Sequence, residues 1–95
     1  MAAYILANVK VTDATRYEKY KQLAQQAVER YGGRYLVRGG ETALLEGGWQ
    51  HDRIVVLEFP TLERAKEFYR SPEYAAAREA RSGCAEMKML AVAGV

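Results

Sequence analysis

Cysteine is almost absent. Cys84 stands alone, so no intrachain disulfide can form, and a reducing cytoplasm is the expected setting. Histidine is as scarce, with His51 the only one; one imidazole and one distant thiol fall short of a closed zinc site, and neither a metal nor a cofactor is expected. The 14 basic residues against 12 acidic ones leave a formal charge of +2, and nowhere do Lys and Arg gather in a run that could follow a phosphate backbone. A nucleic-acid partner is therefore not expected. No apolar stretch approaches the ~20 residues of a membrane-spanning helix. The opening MAAYILANVKV carries no basic residues ahead of its apolar ones, so neither a membrane anchor nor export is expected.

What is present is globular. Hydrophobic residues make up 49% and charged residues 27% of 95 positions, a length suited to one domain over residues 1–95 that buries about 60–65% of its unfolded surface. Tyrosine supplies seven of the aromatic residues, giving a core or pocket with polar handles.

The chain is organised around Gly32 to Gly40, GGRYLVRGG, in which strand-type residues lie between two glycine pairs. Before it, Tyr4–Val11 reads as a strand. Asp13 caps an amphipathic helix with Tyr17, Tyr20, Ala24, Ala27, Val28 and Tyr31 on one stripe, and Gly32-Gly33 ends it. Arg34–Arg38 is the second strand. Gly39-Gly40 reads as a bend after which that strand resumes through Thr42–Glu46, and a loop containing Trp49, His51 and Asp52 leads into a third strand, Arg53–Phe59. Pro60 closes it. Thr61 caps a helix that Ser71-Pro72-Glu73 kinks or splits, Ser82-Gly83 breaks it, and Met87–Ala93 is a last strand.

The order β, α, β, β, α, β predicts a ferredoxin-like α+β fold, with the first and third strands as parallel central neighbours and helices on one face of the sheet. The uncovered face should be polar if water touches it. Instead both alternating sets of the central strands are mainly apolar: Ile5, Ala7, Val9, Val11 against Tyr4, Leu6, Asn8, and Val55, Leu57, Phe59 against Ile54, Val56, Glu58. A patch of that size calls for cover, and a two-fold homodimer with facing sheets is expected.

The motifs GGRYLVRGG, LLEGGW, VVLEFPT, SPEY and AVAGV, in that order along the whole chain, resemble the family called domain of unknown function 1330, within the dimeric α+β barrel superfamily. The resemblance implies the same fold and barrel dimer, and no established activity. The wider superfamily includes cofactor-independent monooxygenases, haem-degrading enzymes, lactone isomerases and dye-peroxidising haem proteins. Asn8 matches an asparagine on the first strand of the haem-degrading relatives, but Phe68, Tyr69, Tyr74 and Arg78 stand where their Trp and His would be, so haem ligation is not carried over.

Candidate site residues follow from where polarity is expensive. Glu58 shares a face with Ile54 and Val56, and a parallel register would set Asn8 beside it; a buried carboxylate needs a donor, from Asn8 or Arg38, or must be protonated. It reads either as a general acid or base or as one half of a structural ion pair that fixes a dimer. Arg34 and Arg38 are expected on one side of their strand, with Tyr35 and Val37 on the other. They suit a ligand carboxylate or, equally, a charge-guarded edge. Trp49 and His51 read as a mobile lid or as a cover for one end of the core. Cys84 reads as a packed thiol. Two functions remain open: a metal-free enzyme acting on an acidic or enolisable small molecule, with Glu58, His51 and Asn8 catalytic and Arg38, Tyr35 and Trp49 binding, or a non-catalytic ligand-binding or structural dimer.

Overall fold

A computed structural model describes residues 1–95. Its elements are β1 (Ala3–Val11), α1 (Ala14–Arg30), β2 (Arg34–Arg38), β3 (Arg53–Phe59), α2 (Leu62–Arg70), α3 (Pro72–Ala80) and β4 (Ala85–Ala93). No helix is long and apolar enough to cross a membrane. The strands form one sheet in the order β2-β3-β1-β4, the ferredoxin-like arrangement.

Every neighbouring pair is antiparallel, which corrects the parallel pairing expected for β1 and β3. The reason is topological. The crossover through α1 leaves β1 and β2 parallel but one strand apart, and β3, which returns from β2, fills the gap running against both. Consequently Glu58 pairs with Tyr4, and Asn8 pairs with Ile54. Four residues of extended chain, about 13 Å, separate Glu58 from the position opposite Asn8.

β2 is also shorter than expected. It ends at Arg38, and residues 40–46 form no strand. Gly39 takes φ +74, where a side chain would be strained, and its N–H donates to the Ile54 carbonyl at 2.8 Å, so the chain turns out of the sheet. Within β2 the register shifts between Tyr35 and Val37. That bulge moves Arg38 to the side of Tyr35 and away from Arg34, so the two arginines do not share a face as expected.

Strand alternation builds the core. Ala3, Ile5, Ala7 and Val9 of β1 and Leu57 and Phe59 of β3 are buried against Tyr17, Tyr20, Ala24, Ala27 and Val28 of α1, with Phe68 and Tyr74 from the second helical layer. α1 starts at Asp13, whose carboxylate accepts from the Arg16 N–H at 3.1 Å, and ends at Gly32 with φ +78. A Cβ on Gly33 would lie 2.6 Å from the Phe59 ring, so only glycine lets the chain cross that ring. Cys84 is fully buried, and its carbonyl accepts from the Thr12 and Asp13 N–H groups at 2.9 and 3.1 Å, tying the start of β4 to the β1–α1 turn.

Ser71 divides the second helical region in two. It is buried, donates its hydroxyl to the Phe68 carbonyl at 2.7 Å and accepts from the Tyr74 N–H at 3.1 Å, so one side chain closes α2 and caps α3 ahead of Pro72. Glu73, in the first turn of α3, receives the Tyr31 hydroxyl at 2.9 Å and the Arg30 guanidinium at 3.0 Å, fastening the end of α1 to α3. Its own backbone N–H and the Tyr31 hydroxyl hold its carboxyl below the usual carboxylate range.

The result is a slab of 36 × 33 × 16 Å, one helical layer on one sheet. Replacing Ser71 with alanine leaves the Tyr74 N–H without its cap and the Phe68 carbonyl with only the Ser71 backbone N–H at 3.2 Å, so Ser71→Ala should lower the urea-derived unfolding free energy by about 1–2 kcal/mol with an unchanged m-value.

Candidate functional site

Four tyrosines meet between α1, α3 and the sheet. Tyr17 and Tyr20 come from α1 because positions three apart share a helix face. Tyr74 sits at the start of α3, and Tyr35 points inward from β2. The Tyr20 and Tyr74 hydroxyls share a 2.7 Å hydrogen bond, and Tyr20 also reaches the Met87 sulfur at 3.8 Å. These groups, with Arg38, Arg53 and Lys21 toward the outside, line a cavity of about 40 Å³. That is room for one or two water molecules, far below the ~300 Å³ of a pocket that takes a drug-sized ligand.

Its electrostatics are those of neutral phenols beside cations. Burial pushes the Tyr17, Tyr20, Tyr35 and Tyr74 hydroxyls up from their ordinary pKa of 10.0, Tyr20 furthest, through burial first and then through Tyr74 lying against it. Arg53 and Arg38 oppose the shift at Tyr17 and Tyr35 respectively. At neutral pH the tyrosines are therefore hydrogen-bond donors and acceptors and not bases. Arg53 begins β3 on the core-facing parity of Val55 and Leu57, and its Nε is buried without a hydrogen-bond partner. Its guanidinium lies against Gly39, where a Cβ would come within 2.7 Å. Arg38 closes the outer side, stacked 4.2 Å from the Tyr35 ring centroid and donating to the Gln25 side chain at 3.3 Å.

The residues expected to carry chemistry are not gathered here. Of them, Arg38 and Tyr35 come together at the cavity mouth. Glu58 lies on the opposite face of the sheet, where it receives Arg34 Nε at 2.7 Å. Arg34, not Arg38 or Asn8, is its partner, because the antiparallel register sets Arg34 directly across from it. Asn8 clamps the far end of the loop instead: its Oδ1 accepts from the Asp52 N–H at 2.8 Å, and its Nδ2 donates to the Asp52 carboxylate at 3.3 Å. His51 spans the same loop, with Nε2 2.7 Å from the Thr42 hydroxyl and Nδ1 3.3 Å from the Trp49 carbonyl. A carbonyl can only accept, so in the neutral ring Nδ1 carries the proton and Nε2 accepts from Thr42. Trp49 projects from the loop, 70% exposed. No three His, Cys, Asp or Glu side chains converge as metal ligands.

Tyr20, Tyr74 and Arg53 were not singled out as site residues by their sequence pattern. Tyr20 falls on an apolar helical stripe, where an aromatic residue is ordinarily core. Arg53 did carry a signal, since its place two residues before Val55 puts a cation on the buried side of a strand.

The model of the domain of unknown function DUF1330 matches residues 2–95. The chain belongs to the DUF1330 family. No curated protein matches it in sequence. Among solved structures, this DUF1330 chain is similar to the RPA0582 protein of unknown function from Rhodopseudomonas palustris, at TM-score 0.77 and 20% identity over 99% of this chain and 82% of that one. It is similar to SnoaB, a cofactor-independent oxygenase from Streptomyces nogalater, at TM-score 0.66 and 11% identity over 99% and 93%. A dimeric ferredoxin-like protein of unknown function from Thermobifida fusca gives TM-score 0.66 and 16% identity over 99% and 92%. At these identities the likeness is one of fold.

The raised phenol values have a thermodynamic consequence. In the unfolded chain these tyrosines ionise near pH 10, while the folded state keeps them protonated to higher pH. Their contribution to stability is complete below about pH 10 and is lost as pH rises from there through the folded values. Ultraviolet tyrosinate titration of the native protein should show Tyr17, Tyr20, Tyr35 and Tyr74 ionising late and together with unfolding. Tyr20→Phe should remove one late proton and cost about 1–2 kcal/mol, because Tyr74 loses its partner.

Proposed function

We propose that this chain is a homodimer that binds a small anionic ligand between α1 and the sheet. Cytoplasmic placement, with Cys84 reduced, belongs to the same reading. The observation that carries the ligand reading is the Arg53 guanidinium, whose Nε is buried without a partner at the cavity that Tyr17, Tyr20, Tyr35 and Tyr74 also line. Unsatisfied buried donors are rare in folded proteins, and each takes a partner, whether a water or a ligand oxygen. A carboxylate or enolate oxygen would take that donor, and the neutral phenols would hold a second oxygen. Entry requires the exposed Arg38 to leave Tyr35, a movement opposed by one 3.3 Å hydrogen bond and a stack. Metal-free turnover of an enolisable ligand, the chemistry suggested by a fold shared with a cofactor-independent oxygenase, is the finer form of this proposal. A second reading, in which the tyrosines only pack, is favoured by the 40 Å³ cavity.

The dimer is supported by the uncovered sheet face. Leu6, Leu90 and Val92 are 41%, 59% and 44% exposed, and Tyr4, Ile54 and Val56 continue the patch. Under this reading Glu58 and Arg34 lie in the interface and fix its register, a role in assembly and not in proton transfer. Asn8 and His51 act as holders of the loop.

Two measurements test these statements. Sedimentation at micromolar concentration should give twice the 10.7 kDa chain mass, and Leu90→Glu should give single chains that remain folded by circular dichroism; a wild-type protein that sediments as one chain removes the dimer. Small aromatic hydroxy acids, salicylate first, should raise the melting temperature of the wild type and not of Arg53→Met. A panel of such acids without effect on the wild type leaves packing as the role of the tyrosines.

A further inference from the structure

The loop between β2 and β3, residues 39–52, does not behave as a simple connection. At 14 residues it lies in the ~12–15 residue range at which loops without secondary structure become uncommon, and it presents apolar residues outward: Leu44 is 58%, Leu45 94% and Trp49 70% exposed. Glu41 and Glu46 flank them, and neither takes part in any of the chain's ion pairs. The His51–Thr42 and Asn8–Asp52 bonds hold its base in shape. An apolar arm with acidic flanks needs a basic, apolar receptor.

The opposite edge of the same chain has one. α2 touches β4, yet Met87 and Met89 on the core-facing side of that strand stay only half-buried. There a groove of about 430 Å³ runs between α2 and β4, with Ala65, Tyr69, Met87 and Met89 along it. Its cations are Lys66, Arg70 and Arg81. Lys66 is paired with Glu63, but Arg70 has no ion pair in the chain, and the Nε of Arg81 is buried without a partner. Complementary charge and apolar surface therefore sit at the two edges of one sheet.

The arm leaves at the β2 edge and the groove opens beyond the β4 edge, three strand spacings away, about 14 Å, so an arm seated in its own groove would have to lie across the whole sheet or helical layer. In a pair of facing sheets related by a two-fold axis along the strands, each β2 lies over the partner's β4. Half of the arm, about seven residues, extends to some 23 Å, enough to cross the ~10 Å between stacked sheets and round the β4 edge. Gly47, with φ +77, and Gly48 lie near its tip with open space around them.

We propose that the arm of each copy, through Leu44, Leu45 and Trp49, seats in the α2–β4 groove of a second copy, with Glu41 and Glu46 meeting Arg70 and Arg81. This inference rests on the facing-sheet dimer proposed above and adds a reciprocal clasp to it. The clasp makes two symmetry-equivalent arm–groove contacts within one two-fold interface, which also cover the free edge of β4.

The test uses the full chain. Leu45→Cys combined with Tyr69→Cys should form, on mild oxidation, a disulfide that doubles the mass on a denaturing gel, whereas neither single variant should do so efficiently. Arg70→Glu should weaken self-association at least tenfold by sedimentation, and Glu46→Arg added to it should recover most of that loss. In the unaltered protein, Trp49 emission should be blue-shifted and shielded from acrylamide at dimer concentrations and should move to the red on dilution. A dimer in which the paired cysteines stay unlinked between chains, Arg70→Glu has no effect and Trp49 stays solvent-exposed overturns the clasp while leaving the facing sheets intact. Single chains at micromolar concentration overturn both.

Discussion

The structure depends on the strict alternation of β1. Its inward row, Ala3, Ile5, Ala7 and Val9, is no more than 5% exposed at any position, and the same backbone forms ladders with β3 on one side and β4 on the other. Two of the four inward residues are alanine, which leaves room in the shared core for the bulky Tyr17 and Tyr20 of α1. A slip of one residue would exchange this row for Tyr4, Leu6 and Asn8 and bring an amide into the core. The register is thereby fixed, and every other position in the sheet inherits it.

Two consequences follow for the site. Antiparallel pairing sends Glu58 and Asn8 to opposite ends of the uncovered face, so they cannot act on one atom within a chain. The bulge at Leu36 turns Arg38 inward over Tyr35 and leaves Arg34 outside on Glu58. One extra residue in β2 thus divides two arginines between the two faces, one toward a buried tyrosine cluster and one toward the surface proposed for pairing.

The uneven helical cover explains the remaining surfaces. α1 packs chiefly on α3, while α2 lies closest to the sheet and touches β1, β3 and β4, and Met87 and Met89 of β4 stay only half-buried beneath it. A chain of this size has too little material to cover both sheet faces and both edges. What stays uncovered is largely apolar, and the loop that leaves β2 adds Leu44, Leu45 and Trp49 to the exposed apolar surface.

The order of elements, the caps at Asp13, Thr61 and Ser71, the stop at Gly32 and the apolar character of both sheet faces were all legible in the chain, because each rests on neighbours within a few residues or on a period of 2 or 3.6. The family was legible too, from several motifs in order. Strand direction at the centre of the sheet, the bulge that turns Arg38, the end of β2 at Arg38 and the meeting of Tyr20, Tyr74 and Arg53 were decided only in three dimensions. Those features depend on which hydrogen bonds and side chains meet across tens of residues, and local preference carries no record of such pairings.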